Sequence, residues 1–289
     1  MRLSTRTAIL KPDLTATMNL DQSTFQTIRQ IVLDESAIAL ADGKEYLVES
    51  RLRPVLKSEG FGSMQDLALA LKDRPRSLTT KVVEALTTNE TSFFRDVHPF
   101  DALRDEVLPE LLERNAELRS INLWSAASSS GQEPISLAVT LLEHFPECAA
   151  WDVKILATDI NEIMLERCRL GRYSDLEVSR GLPPSLRDKY FRRDGAHWQV
   201  SEEVLDMIEY KQLNLAGAFP SMPPMDVIFM RNVLIYFEPE AKARILARAY
   251  SQLRPDCVLF LGTAENVAGL HDDFRPCPFR KATAFRTAA

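Results

Sequence analysis

No apolar run in this 289-residue chain approaches the roughly 20 residues needed to span a bilayer, and Arg2, Arg6 and Lys11 have no compact apolar stretch behind them. Neither a transmembrane helix nor a secretory leader is expected, so the chain reads as cytoplasmic with no direct membrane insertion. Its four cysteines, Cys148, Cys168, Cys257 and Cys277, include no C-x-x-C pair, which argues against a disulfide scaffold or a zinc site. The histidines His98, His144, His197 and His271 show no ligand spacing, and no metal is expected. Excess positive charge is missing too. Lys and Arg number 35 against 41 Asp and Glu, a net charge of -6, so there is no whole-chain attraction for nucleic acid phosphates.

What is present is ample core material: 45% of residues are hydrophobic, enough for one large or two modest domains. Residues 1 to 20 mix Thr, Ser and charges without periodicity and are expected to form a tail. From Phe25 to Leu86 the apolar spacing is helical, with Phe25, Ile28, Ile31 and Val32 as its clearest example, and residues 44–58, 64–72 and 78–86 read alike. A small all-helical domain over 21–90 is predicted. Beyond residue 120 short β-rich runs at 121–126, 153–158, 226–230 and 257–262 alternate with helical segments near 132–144, 161–169 and 239–253. That alternation predicts an α/β domain over 91–289 with a doubly wound, mostly parallel, Rossmann-like sheet whose buried strands are almost continuously apolar. Between about 179 and 213 the regularity lapses, and a small inserted β-subdomain is expected there.

Two stretches stand outside any periodicity. Asn89-Glu90-Thr91-Ser92-Phe93-Phe94-Arg95 crowds polar groups, two aromatics and a guanidinium into one segment. Leu123-Trp124-Ser125-Ala126 runs into a small-residue turn ending at Gly131, and Gln132-Glu133-Pro134 then opens a helix. In open parallel sheets ligands sit at the carboxyl ends of the strands where strand order reverses, and this turn suits that place. A dinucleotide enzyme would carry G-x-G-x-x-G here, but the turn has one glycine, and Glu133 stands where a diphosphate would approach. A carboxylate there suits a ligand bearing an amine. Asp159 ends the second strand 28 residues after Gly131, where it can accept hydrogen bonds from ribose hydroxyls. Amine and ribose together point to S-adenosylmethionine.

On these residues the chain resembles the CheR-type chemoreceptor glutamate O-methyltransferases over about residues 21 to 285. Asn89 to Arg95 is similar to the family's N-E-T-x-F-F-R, Trp124 to Ser136 to its W-S-A-x-x-x-x-G-x-E-P-x-S, Thr158-Asp159-Ile160 to its T-D-I, and Met230 to Phe237 to its C-R-N-V-x-I-Y-F. The resemblance implies a class I methyltransferase-like fold in which Asn89, Thr91 and Arg95 contact the methionine part of S-adenosylmethionine. It implies that Glu133 holds the amine, Asp159 binds the ribose, Asn214 and Leu215 flank the adenine, and Arg231 and Asn232 line the same pocket. Arg95 and Tyr236 inherit the catalytic assignment, S-adenosylhomocysteine is the product, and the partners are chemoreceptor cytoplasmic helices and a receptor C-terminal peptide, met by the helical domain and the inserted β-subdomain. Where the family usually has glycine, glutamate and tyrosine, this chain has Ala127, Gln132 and Ile135.

The expected nucleophile is a glutamate, already an anion at neutral pH, so no general base is required. Residues 1–95 carry 13 Lys and Arg against 12 Asp and Glu while the remainder carries 22 against 29, a modest asymmetry of the right sign for an acidic receptor helix. Lys44, Arg51, Arg53 and Lys57 are the candidate basic patch, with Pro54 expected to interrupt their helix. Two other readings remain open at this level: a non-catalytic receptor-binding scaffold, and a methyltransferase acting on a small acid or nucleic acid.

Overall fold

The computed structural model describes residues 20–279 and 281–288, so all but the last residue of the expected N-terminal tail lies outside it. The chain begins with four helices, α1 (Gln22–Ser36), α2 (Glu45–Glu59), α3 (Met64–Leu71) and α4 (Arg76–Leu86). Two of the starts carry a capping side chain. Asp21 accepts from Thr24 N at the head of α1, and Ser63 accepts from Asp66 N at the head of α3. The predicted apolar stripe closes inward, and Phe25, Ile28, Val32, Val48, Leu52 and Leu67 are fully buried in one cluster. Pro54 does not break α2. It sits on the exposed side of a helix that continues for five residues past it, and Ser50, whose carbonyl loses its intrahelical partner, is exposed too.

After α5 (His98–Ala102), a π-helical turn and α6 (Leu108–Arg114), the α/β region begins. In order it comprises β1 (Ser120–Ala126), α7 (Gln132–His144), β2 (Asp152–Asp159), α8 (Glu162–Leu170), β3 (Arg172–Ser174), α9 (Asp175–Ser179), α10 (Pro184–Tyr190), β4 (Phe191–Asp194), β5 (His197–Val200) and α11 (Glu202–Leu205). Then follow β6 (Ile208–Gln212), β7 (Met225–Met230), α12 (Pro239–Gln252), β8 (Leu253–Leu261), β9 (Arg275–Pro276) and β10 (Thr283–Arg286). The main sheet has seven strands in the order β6-β2-β1-β7-β8-β10-β9. β1 is its pivot. Leu123 is paired with Ile155 on one side and Val227 on the other, both in parallel, so the crossovers leave β1 in opposite directions and open a crevice at its carboxyl end. β10 runs antiparallel to β8, and the short β9 pairs antiparallel outside it and forms that edge. No helix among the described residues is long and apolar enough to cross a membrane.

The inserted unit differs from expectation at both ends. Ile208-Glu209-Tyr210 belongs to the main sheet, where β6 pairs in parallel with β2, whereas Arg172–Ser174 joins β4 and β5 in a separate three-stranded sheet ordered β3-β5-β4. β6 is an edge strand with only Ile208 buried, so it lacks the continuous apolar run by which β2 and β7 declare themselves.

Candidate functional site

The carboxyl ends of β1, β2 and β7 meet the underside of the helical domain around a cavity of about 430 Å³, within the range of roughly 300–1,000 Å³ that small-molecule sites occupy. All ten residues singled out from the sequence, from Asn89 to Tyr236, line it. The sequence scatters them over nearly 150 positions, and only the crevice beside β1 brings them together.

Glu133 occupies the first turn of α7, its side chain 12% exposed. Ser125 Oγ donates to its Oε1 at 2.8 Å, and Arg231 Nη1 donates to its Oε2 at 3.0 Å. Burial pushes the carboxyl pKa up, against the pull of Arg231 and Ser125 in the other direction. Arg231 is itself buried, and its Nη2 donates to Arg95 O and Asp96 Oδ2, both at 2.7 Å. Its Nε has no protein partner. The guanidinium therefore ties the start of α7, the end of β7 and the Asn89–Arg95 segment into one ion-pair chain. An incoming ammonium would share Glu133 with a resident cation, a point the sequence could not show.

Asp159 ends β2 and is 6% exposed. Ser129 N donates to its Oδ2 at 2.8 Å and Asn161 N to its Oδ1 at 2.9 Å. Burial raises its pKa and those backbone amides offset part of the rise. The turn above is forced left-handed: φ is +64° at Ala127, +50° at Ser129 and +97° at Gly131. The glycine that the resemblance implies at the Ala127 position would suit this turn, because a Cβ in left-handed backbone costs about 1 kcal/mol or more. Ala127→Gly is expected to raise unfolding free energy by about 0.5–1 kcal/mol, read by urea denaturation. An unchanged or lower value would show that the Ala127 methyl is compensated by its packing.

The Asn89–Arg95 segment is pinned at several points. Ser129 Oγ donates to Asn89 O at 2.9 Å, Phe94 N donates to Ser136 Oγ at 3.0 Å, and Phe93 is fully buried. Positive φ at Phe94 (+47°), Asp96 (+67°) and Val97 (+51°) makes this strained backbone, most of all at the β-branched valine. Arg95 thereby reaches the cavity with Nη1 donating to Glu90 O at 2.7 Å.

After β7 the chain turns through left-handed Asn232, φ +56°, into a single 3₁₀ turn, Leu234–Tyr236, that presents Tyr236 to the cavity. Glu265, which sequence reasoning missed, organises this loop by accepting from Gly262 N at 2.6 Å, Asn232 N at 2.8 Å and Val233 N at 2.9 Å. A Cβ on Gly262 would stand 2.7 Å from Asn232 Nδ2, so the two loops close only over a glycine. The signal available was a glycine at a strand's end with an acid three residues later.

The helical domain forms the cavity's other wall. Ala39 N donates to Tyr236 O at 2.9 Å, Ile38 bridges Phe237, and Asn214 Nδ2 donates to Glu35 O at 2.8 Å. Arg51 donates to Leu86 O at 2.8 Å and Thr87 O at 2.9 Å, and Arg53 pairs with Glu49. The expected basic patch is thus broken up. Arg51 fastens the segment leading to Asn89, Lys44 faces the cavity and Lys57 is exposed.

Comparison with known proteins agrees with this architecture. Residues 23–87 match the all-alpha domain of CheR methyltransferases, and residues 89–283 match their SAM-binding domain. A chemotaxis protein methyltransferase of Vibrio parahaemolyticus is 41% identical over 265 residues, 90% of this chain and 95% of that one. Chemotaxis protein methyltransferase 1 of Vibrio cholerae is 39% identical over 90% of this chain and 95% of its own. Chemotaxis protein methyltransferase 1 of Pseudomonas aeruginosa is 37% identical over 89% of this chain and 95% of its own. Matched over both regions and nearly end to end, the chain belongs to the CheR methyltransferase family and is an S-adenosylmethionine-dependent methyltransferase.

Proposed function

We propose that this methyltransferase acts in the cytoplasm on glutamate side chains of chemoreceptor helices, releasing S-adenosylhomocysteine and leaving glutamate methyl esters that adjust chemosensory signalling. The single observation that carries this reading is the cavity itself, lined together by two buried carboxylates, Glu133 and Asp159, and by Arg95 and Tyr236. When bound, S-adenosylmethionine supplies a methyl group on a positively charged sulfur. Transfer of that methyl to a carboxylate oxygen, with the sulfur keeping the bonding electrons, would need no proton movement and so no general base from these residues.

The residues then have only to hold and orient. Glu133 takes the cofactor's ammonium in the ion-pair chain with Arg231, and Asp159 accepts from its ribose hydroxyls. Asn89 and Thr91 meet the methionine part, Asn214 and Leu215 flank the adenine, and Asn232 completes the wall. Arg95 attracts the substrate carboxylate and turns one oxygen towards the methyl carbon, and proximity of this kind supplies up to roughly 7–11 kcal/mol. Tyr236, on its short turn at the cavity, orients the acceptor by a hydrogen bond from its hydroxyl.

Tyr236→Phe is expected to lower kcat by roughly ten-fold or more while the S-adenosylhomocysteine Kd changes less than two-fold, as loss of one orienting hydrogen bond implies. Weakened binding with normal turnover would remove the orienting role. Lys44, on the cavity wall, is the cation that the helical domain offers to an acidic receptor helix. A receptor C-terminal peptide suits the small sheet, where Arg187 and Arg193 lie 4.7 Å and 5.3 Å from the Trp198 ring centre.

Incubation with tritiated S-adenosylmethionine and receptor cytoplasmic fragments should place base-labile label on glutamates. Label that survives base, or appears only on small acids or nucleic acid, would reject the substrate assignment. No observation favours a non-catalytic scaffold.

A further inference from the structure

The small β-sheet reaches under the cofactor turn. Tyr173, at the centre of β3, has no exposed surface, and its hydroxyl donates to Ser130 O at 2.6 Å. Cys168 Sγ, from α8, donates to the adjoining Ser129 O at 3.1 Å. Burial keeps both side chains protonated, with the thiol pushed up to about 12 and the phenol raised well above its ordinary range, so each is a donor. A Cβ on Gly131 would lie 2.7 Å from Cys168 Sγ and 2.9 Å from the Tyr173 hydroxyl, which shows how closely the turn is seated on the pair.

The same unit grips the Asn89–Arg95 segment. The Phe93 ring stands edge-on to Tyr173 at 5.1 Å and to Phe191 at 5.5 Å, and a Cβ on Gly181 would fall 2.0 Å from Phe93 O. On its upper side the turn passes the constraint on, since Ser129 N donates to Asp159 and Ser129 Oγ to Asn89 O. Two donors below and two contacts above therefore fix a turn whose left-handed residues do not favour this shape by themselves.

We propose that Tyr173 is a positioning residue for the cofactor: through Ser130 O it holds the turn that aims Asp159, so the small β-sheet sets affinity for S-adenosylmethionine as well as offering an outer surface. The inference rests on the reading of Asp159 as the ribose acceptor. Tyr173→Phe removes one hydroxyl and keeps the ring packing against Phe93. It leaves Ser130 O buried without this donor, and the turn relaxes around it.

The test is calorimetric titration of S-adenosylhomocysteine into wild type, Tyr173→Phe, Asp159→Asn and the double variant. We expect Tyr173→Phe to weaken binding by about five- to ten-fold, the effect of one buried hydrogen bond. KM for S-adenosylmethionine should rise in parallel while kcat falls less than two-fold, a split that general loosening of the fold would not give. The double variant should bind no more weakly than Asp159→Asn alone. Wild-type affinity in Tyr173→Phe overturns the proposal, and fully multiplicative losses overturn the route through Asp159. Wild-type affinity in Asp159→Asn instead sinks the ribose reading, whatever Tyr173→Phe does. Should Tyr173→Phe not fold, Cys168→Ala removes the neighbouring donor to Ser129 O, and unchanged affinity there overturns the premise that donors beneath this turn set affinity for the cofactor, and with it the proposal.

Discussion

Glu133→Gln should weaken S-adenosylhomocysteine binding by roughly 10- to 150-fold, the loss of one hydrogen-bonded charge partner, without lowering the stability of the free protein. The two halves of that result come from the same burial. In the free protein the carboxylate is held by Ser125 and Arg231 with 12% of its side chain exposed, and burial outweighs both partners in setting its pKa above the ordinary value. For an acid the sign is unambiguous. The folded state binds the proton more tightly than the unfolded chain, so stability falls as pH rises from the unfolded value, about 4.3, through the raised folded one. Glutamine mimics the protonated form, so this slope should flatten while the midpoint at neutral pH holds or rises, which thermal melts across pH would record.

Cofactor binding has the opposite dependence. An ammonium stabilises the ionised carboxylate, so binding below the raised pKa expels a proton, and wild-type affinity climbs with pH over that interval. Glu133→Gln should lose part of the climb, and the part that remains belongs to Asp159, whose pKa burial also raises. Calorimetry in two buffers of different ionisation enthalpy counts the protons released. A variant with wild-type affinity, or with an unaltered proton count, would mean that the amine is held elsewhere.

These opposed slopes could not be read from sequence, although the residue could. Glu133 was legible because an acid in the first turn after a glycine-poor loop contradicts phosphate binding, and Asp159 because it ends an apolar strand at the right interval. The helical pattern of Phe25 to Leu86 and the apolar runs of β2 and β7 were legible for the same reason, that local periodicity records burial. What escaped was long-range or one-sided. Glu265 acts on backbone amides more than 25 residues away, and Arg51 caps carbonyls 35 and 36 positions on. β6 buries one side chain and so left no periodic trace, and it was assigned to the inserted unit. Pro54 was read by its general habit, whereas its exposed position on α2 removed the cost.

In the proposed reaction the substrate's carboxylate would meet Arg95, a cation flanked by strained backbone and with a lightly tethered side chain. Arg95 follows Phe94 and precedes Asp96 and Val97, all three left-handed, and Arg231 holds the segment by its Arg95 carbonyl and Asp96 carboxylate. One guanidinium nitrogen donates to Glu90 O, and a guanidinium has five N–H donors, so a carboxylate can still be gripped by two of them. Arg95→Ala is therefore expected to lower kcat/KM for receptor by about 10²–10³, roughly 3–4 kcal/mol, with S-adenosylhomocysteine affinity falling less than about ten-fold. Arg95→Lys keeps the charge but loses the fork, and should recover only part of the rate. Steady-state kinetics on a receptor fragment, with titration of the product in parallel, separates the effects. Full recovery by lysine would reduce Arg95 to a point charge, and unchanged kcat/KM in Arg95→Ala would place the carboxylate's partner elsewhere, leaving the strain at Val97 without a catalytic purpose.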